Sequence, residues 1–273
     1  MLNIKQNEYF DVITMPGGEP HMKWKSGNLD GLNIKLLARL NSGNDLLELL
    51  VVTDALKRLG CRLSVCIPYF CGARQDRISG YGESLTVKVY ADIINAQGYT
   101  RVSILDPHSD VTPALINNCS VLPVSHILKK IVTEGNYNVV LIPDAGAAKK
   151  TLNYYFPDSN FNQKLTFVQC LKKRDTVTGK LSGFKVVDPI PEYAKCLIVD
   201  DICDGGGTFL GLAEEAINGP SGTVDKLSLY VTHGIFSKGV ESLLYPAKYG
   251  FNEIYTTDSI RPNQPEGVKV FKL

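Results

Sequence analysis

The chain of 273 residues is too long for one small domain and fits one large or two modest α/β domains. Apolar residues make up 44% and charged residues 21%, ordinary values for a protein that buries a core. A formal net charge of +1 gives no global field toward nucleic acid or membrane, and no apolar run reaches the roughly 18 residues needed to span a bilayer.

The opening MLNIKQNEYFDVITM lacks the basic start and apolar centre of a signal peptide, so a cytoplasmic protein with neither nucleic acid nor membrane as partner is expected. Seven cysteines, an odd number with no C-x-x-C pair, argue against a disulfide framework or a zinc site. Cys66 and Cys196 sit inside apolar runs and read as small buried hydrophobes. Cys203 falls in a glycine-rich stretch, where access is expected to be open.

In chain order, residues 44–59 (NDLLELLVVTDALKRL) predict an amphipathic helix capped by Asn44 or Asp45. Residues 62–69 (RLSVCIPY) predict a strand, 86–96 a helix, and 101–105 (RVSIL) a short strand ending at Asp106. The alternation restarts after residues 123–126. Strands are expected at 138–142, 165–170, 196–199, 227–231 and 253–256, and a helix is expected to begin near Phe209. Two doubly wound parallel-sheet domains, 1–124 and 125–273, follow from this pattern. Strand after strand ends in a polar cluster: ARQDR, DPHSD, PDAG, KKR, DDICDGGGT, THG, TDS. Ligands of open parallel sheets bind outside the carboxyl ends of the strands, so the polar groups gather where a site should be.

The stretch KCLIVDDICDGGGTFLG carries the most chemistry. Its glycines free backbone N–H groups to converge on a phosphate at a helix start, and Thr208 adds a hydroxyl or caps that helix. Asp200 and Asp201 repel a phosphate but suit vicinal hydroxyls, which donate to carboxylates. Hydroxyl binders beside a phosphate cradle describe a ribose 5-phosphate pocket. The alternative is a tight strand–helix turn with capping acids.

This stretch resembles the phosphoribosyl diphosphate signature of type I phosphoribosyltransferases. Further segments narrow the resemblance to ribose-phosphate diphosphokinases: Asn44-Asp45-Leu46 with Glu48-Leu49-Leu50, Ile67-Pro68-Tyr69-Phe70 with Ala73-Arg74-Gln75-Asp76-Arg77, Leu105-Asp106 with His108-Ser109, Pro143-Asp144-Ala145-Gly146, and Thr232-His233-Gly234 with Phe236-Ser237. It runs over about residues 19–260. The family makes phosphoribosyl diphosphate (PRPP) from ATP and ribose 5-phosphate, within nucleotide biosynthesis. The resemblance implies that Arg74 and Gln75 hold ATP, with Asp76 and Arg77 shaping that site and Glu19 donated by a neighbouring subunit. It implies that His108 contacts the ATP phosphates or Mg2+, that Asp144 helps place Mg2+, and that Lys172 and Arg174 are the catalytic basic pair. Asp200 and Asp201 would bind ribose hydroxyls, and Asp204, Gly205, Gly206, Gly207 and Thr208 the 5-phosphate. A homodimer is the smallest assembly implied, with a higher homo-oligomer open.

The sequence departs from the family pattern in four places. Ile78-Ser79-Gly80-Tyr81-Gly82-Glu83-Ser84-Leu85-Thr86 replaces a basic stretch with an Arg-x-Pro-Ile pattern. Met15 and Gly17 stand where Phe and Asp are usual. The chain stops at Leu273, where relatives usually continue into another helix. Gly205 stands where Thr usually precedes the paired glycines, so the pocket loses a donor and gains room. That trimming suits ADP-ribose, an acceptor used by some phage-borne relatives and tied to NAD metabolism, as well as ribose 5-phosphate. A transferase that consumes PRPP and a non-catalytic regulatory relative are the competing readings; retention of Lys172, Arg174, His108 and Asp144 speaks against the latter.

Overall fold

In the computed structural model, residues 1–174, 181–218, 223–245 and 248–273 are described, with the backbone alone for Lys172, Lys173, Arg174, Leu181 and Ser182. The chain forms two compact units, Met1–Leu122 and Pro123–Leu273.

The first unit contains β1 (Leu2–Asn3), a hairpin of β2 (Phe10–Thr14) and β3 (Pro20–Trp24), β4 (Asn33–Leu37), α1 (Gly43–Arg58), β5 (Arg62–Ile67), α2 (Thr86–Ala96), β6 (Val102–Leu105), α3 (Val111–Leu115) and β7 (Cys119–Leu122). Its main sheet runs β1-β4-β5-β6-β7, all parallel. Leu46, Leu49, Val52, Thr53 and Leu56 form the buried stripe of α1, at the three- and four-residue spacing of one helical face. The cap of α1 is Ser42 rather than Asn44 or Asp45. Ser42 Oγ accepts from the Asp45 amide at 3.2 Å, and Asp45 Oδ2 accepts from the Asn41 amide at 2.8 Å and from the Ser42 hydroxyl at 2.9 Å. This reciprocal arrangement satisfies donors at the helix start and moves it one residue upstream of the expected position.

The second unit contains α4 (Ser125–Gly135), β8 (Val139–Ile142), α5 (Ala145–Lys150), a π-helical turn (Thr151–Tyr155), α6 (Ser159–Asn162), β9 (Thr166–Arg174), β10 (Leu181–Val186), β11 (Ala194–Cys203), α7 (Gly207–Asn218), β12 (Val224–Gly234), β13 (Glu253–Thr257) and β14 (Val268–Phe271). The sheet order is β10-β9-β8-β11-β12-β13-β14, parallel except for the antiparallel edge strand β10. Val139, Leu141, Cys196, Ile198, Leu229 and Val231 lie at the centre of its core. Such strands are covered on both faces and therefore read in sequence as unbroken apolar runs.

Three strands outrun their expected ends. β9 continues through Lys172-Lys173-Arg174, paired with β10 alone beyond the Ile142↔Gln169 register of β8. β11 continues through both acids to Cys203, because β12 continues beside it to Gly234. Cys203 is correspondingly the last residue of a strand and fully buried, not an exposed loop thiol. Burial first, and the nearby charges of Asp200 and Asp204, push its thiol up to about 12, where it is no nucleophile. Among the described residues no helix is long and apolar enough to cross a membrane.

Candidate functional site

In the first unit, β5 and β6 are parallel neighbours, so the loops that follow them leave the same edge of the sheet. The Leu105 amide donates to Pro68 O at 3.0 Å where the two loops begin. The loop after β5 presents Arg74, Gln75 and Arg77 exposed and Asp76 half-buried; the loop after β6 presents His108 exposed. Asp106 turns that second loop away with a left-handed backbone, φ 42°, while its side chain stays buried. Glu19 lies elsewhere in this unit, exposed on the β2–β3 turn. There Gly17, Gly18, Glu19 and Pro20 face Leu47 and Val51 of α1 across a cleft of about 460 Å³.

In the second unit, β8 and β11 are parallel neighbours, and Asp144 follows β8 as the paired acids of β11 come level with it. Asp144 Oδ1 accepts from the Ala147 amide at 2.9 Å, which fixes this carboxylate as the cap of α5. Asp201 is 6% exposed and faces Lys150 Nζ at 3.6 Å. Burial, then the charge of Asp201 and more weakly that of Asp144, pushes the Asp200 carboxyl well above the usual carboxylate range, although the Asp201 amide donates to it at 2.9 Å. Carboxyl oxygens accept from hydroxyls, so Asp200 and Asp201 together match a pair of vicinal hydroxyls.

The glycine loop follows directly. Gly206 has φ +79°, and a β-carbon there would lie 2.8 Å from Leu243 Cδ2, so both backbone and packing require glycine. At Gly207 a β-carbon would meet nothing within 4 Å, and at Gly205 only the side chain of Lys238 at 3.4 Å. The Gly207 face is left open, as a phosphate cradle needs, while the Gly205 face is met by the Lys238 stem. The helix begins at Gly207, two residues before the expected start, which sets Thr208 in its first turn and not at the cap.

Mg2+ is held by one or two carboxylates together with waters and substrate phosphates, not by an all-protein cage. Among the described residues no group of three or more His, Cys, Asp or Glu is placed to hold a metal. The mutual repulsion of Asp144, Asp200 and Asp201 fits such a partial carboxylate site, since a cation there relieves it. Of the expected pair His108 and Asp144, the first belongs to one unit and the second to the other. The side chains of Lys172 and Arg174 lie outside the described residues.

Lys150 is a member of the site that the sequence reading passed over; the basic pair Lys149-Lys150, one and a half turns after Asp144, was its only signal. Its ammonium also lies over the Tyr155 ring at 5.5 Å. Lys150→Met removes one countercharge of Asp201, and we expect urea denaturation at neutral pH to show a loss of about 2 kcal/mol, because a mostly buried charge loses a partner. Lys150→Arg should retain most of the stability.

A family model, the N-terminal domain of ribose phosphate pyrophosphokinase, matches residues 12–98. A ribose-phosphate pyrophosphokinase of Bradyrhizobium diazoefficiens is 31% identical over 226 residues, covering 81% of this chain and 68% of the relative. This chain belongs to the ribose-phosphate pyrophosphokinase family. Another member, from Brucella melitensis, is 30% identical over 242 residues, covering 85% of this chain and 74% of its own. The crystal structure of phosphoribosylpyrophosphate synthetase from Mycobacterium smegmatis superposes with a TM-score of 0.78 at 19% identity, over 98% of this chain and 87% of that one. The type I phosphoribosyltransferase-like α/β fold of the ribose-phosphate pyrophosphokinases is therefore shared along nearly the whole chain.

Proposed function

We propose that this protein is an ATP- and Mg2+-dependent diphosphokinase that transfers the β,γ-diphosphoryl group of ATP to the anomeric hydroxyl of a ribose 5-phosphate unit. The observation that carries the reading is the end of β11. Two acids, one with its carboxyl pKa raised, stand just before a loop whose Gly207 face is open. Vicinal hydroxyls and a phosphate are the substrate groups this order of residues matches.

The anomeric oxygen forms a bond to the β-phosphorus, the bond from that phosphorus to the oxygen bridging the α-phosphate breaks, and AMP leaves with that oxygen. The hydroxyl proton departs to solvent or a nearby base. Such transfer asks for positioning and charge neutralisation more than covalent help from the protein. Asp144, with His108 and the ATP phosphates, would hold Mg2+, which would supply charge neutralisation. In this reading Arg74, Gln75, Asp76, Arg77 and His108 belong to an ATP-binding and assembly domain, residues 1–124, and residues 125–273 bind the ribose phosphate. Asp200 and Asp201 hold the ribose hydroxyls, Asp204 to Thr208 hold the 5-phosphate, and Lys172 and Arg174 neutralise the transferred group. Glu19 completes the ATP site of a neighbouring subunit in a homodimer or larger assembly.

Glycine at 205, with the Lys238 stem beside it, favours a second acceptor alongside ribose 5-phosphate. ADP-ribose, whose 5-phosphate continues into AMP, needs space and charge where a β-branched residue would stand. Ribose 5-phosphate would give PRPP, and ADP-ribose would give its 1-diphosphate. The test is AMP release from ATP and Mg2+ with each acceptor in turn. We expect AMP in stoichiometric yield with at least one of them; its absence with both would sink the reading.

A further inference from the structure

Gly205 reads in sequence as a donor lost and a space gained, but the structure fills that description differently. A β-carbon at Gly205 would lie 3.4 Å from both Cδ and Cε of Lys238 and 3.7 Å from its Cγ. The aliphatic stem of Lys238 therefore runs along the face that Gly205 leaves bare. The backbone fixes this approach. Cys203 O accepts from the amides of Ile235 and Phe236 at 2.9 and 3.2 Å, and Asp204 O accepts from the Ser237 amide at 3.2 Å. Gly239 N donates to Phe236 O at 3.1 Å and closes the turn that carries the lysine. The turn's backbone is thus laced to the two residues that precede Gly205, which keeps the base of the Lys238 side chain beside the loop.

Burial gives the direction. Gly206 is buried, Gly205 is half-buried and Lys238 is exposed. Lys238 is an exposed residue whose stem passes Gly205, so its ammonium, one bond beyond Cε, is within reach of solvent beside the loop. A phosphate seated in the loop is served by backbone N–H groups and the Thr208 hydroxyl. A compact cation on a flexible stem, set outside that nest, meets whatever projects outward from the seated phosphate. Packing of the stem against Gly205 limits the rotamer freedom that binding must remove.

We propose that Lys238 is a specificity-determining residue that contacts the phosphoryl group attached beyond the 5-phosphate, and so selects acceptors bearing a 5-diphosphate over a lone phosphate monoester. The inference rests on the reading of Asp204 to Thr208 as the 5-phosphate cradle.

The test is calorimetric titration of the full-length protein with ADP-ribose and with ribose 5-phosphate, in wild type, Lys238→Ala and Lys238→Arg, beside AMP release with each acceptor. Lys238→Ala should weaken ADP-ribose binding about tenfold, the scale of one charge-assisted contact, and leave ribose 5-phosphate within about twofold. Lys238→Arg should keep most of the ADP-ribose affinity, and the KM for ATP should not move. Equal weakening of both acceptors, no change in either, or a wild type that does not bind ADP-ribose would each overturn the proposal. Because titration needs no turnover, absence of AMP would count against the proposed activity while the ratio of the two affinities still reads the lysine.

Discussion

Gly206→Ala should remove both stability and acceptor binding, whereas Gly207→Ala should remove acceptor binding alone. At Gly206 two penalties combine. A β-carbon at φ +79° is strained by about 1–2 kcal/mol, and the clash with Leu243 Cδ2 at 2.8 Å and Cδ1 at 3.0 Å adds about 1–2 kcal/mol of overpacking. Loss of about 3 kcal/mol is a large share of the stability of an ordinary domain. At Gly207 a β-carbon meets nothing within 4 Å, and the residue opens α7. Alanine there should stabilise the empty protein by up to about 1 kcal/mol while its methyl group occupies the phosphate cradle. We expect the acceptor KM to rise by about tenfold or more, since small displacements of a bound substrate are expensive in rate. Urea denaturation beside acceptor titration separates the two. Equal stability losses at both positions would mean that the loop glycines serve the fold only.

The second large effect lies at the opposite edge of the second sheet. Glu253, at the start of β13, accepts from Tyr255 Oη at 2.7 Å and Tyr137 Oη at 2.9 Å, and pairs with Lys226 from the start of β12 and Lys269 from β14. Burial alone would raise this carboxyl, but the hydrogen bonds from Lys226, Lys269, Tyr255 and Tyr137 hold it well below the usual carboxylate range. Glu253→Gln leaves two ammonium groups facing each other without their shared anion. A loss of about 3 kcal/mol is expected, the scale of a charge-assisted network, with kcat and acceptor KM unchanged because the network sits at the amino ends of the strands. The pH dependence follows from the depressed value. The stabilisation is complete above the ordinary carboxylate range and fades as pH falls through it toward the lower folded value. Wild type should therefore lose its advantage over Glu253→Gln progressively in acid. Parallel stability profiles down to the lowest accessible pH would contradict the network's role.

The central strands of both units were legible because buried parallel strands have no polar face to interrupt them; Val139 to Ile142 and Cys196 to Val199 are examples, whereas β1, β4, β7 and β14, short or only partly buried, were not predicted. Their lengths were less legible. β11 runs on through Asp200 and Asp201 since the partner strand β12 continues and Lys150 balances one of the charges, and neither fact is local in sequence. The hairpin of β2 and β3 was missed because its residues are mostly exposed and carry no apolar run, although Pro16-Gly17-Gly18 marks its turn. The antiparallel edge strand β10 was missed too: residues 181–186 mix Ser, Gly and Lys with only three apolar positions. In the site, the motif residues were visible as strand-end clusters. Lys150 and Lys238 were not, because each acquires its role from a neighbour brought close by the fold: Asp201 for the first, Gly205 for the second.

Asp144, Asp200 and Asp201 also say something about how this protein could change under selection. Like charges gathered at a buried strand end make the empty protein less stable than the same backbone with a neutral residue at position 200. A search for heat-tolerant variants would therefore drift toward an amide at position 200, and toward an inert protein. Survival of that acid in a working lineage is then a mark of use: a chain no longer needing its ligand would be expected to shed it first.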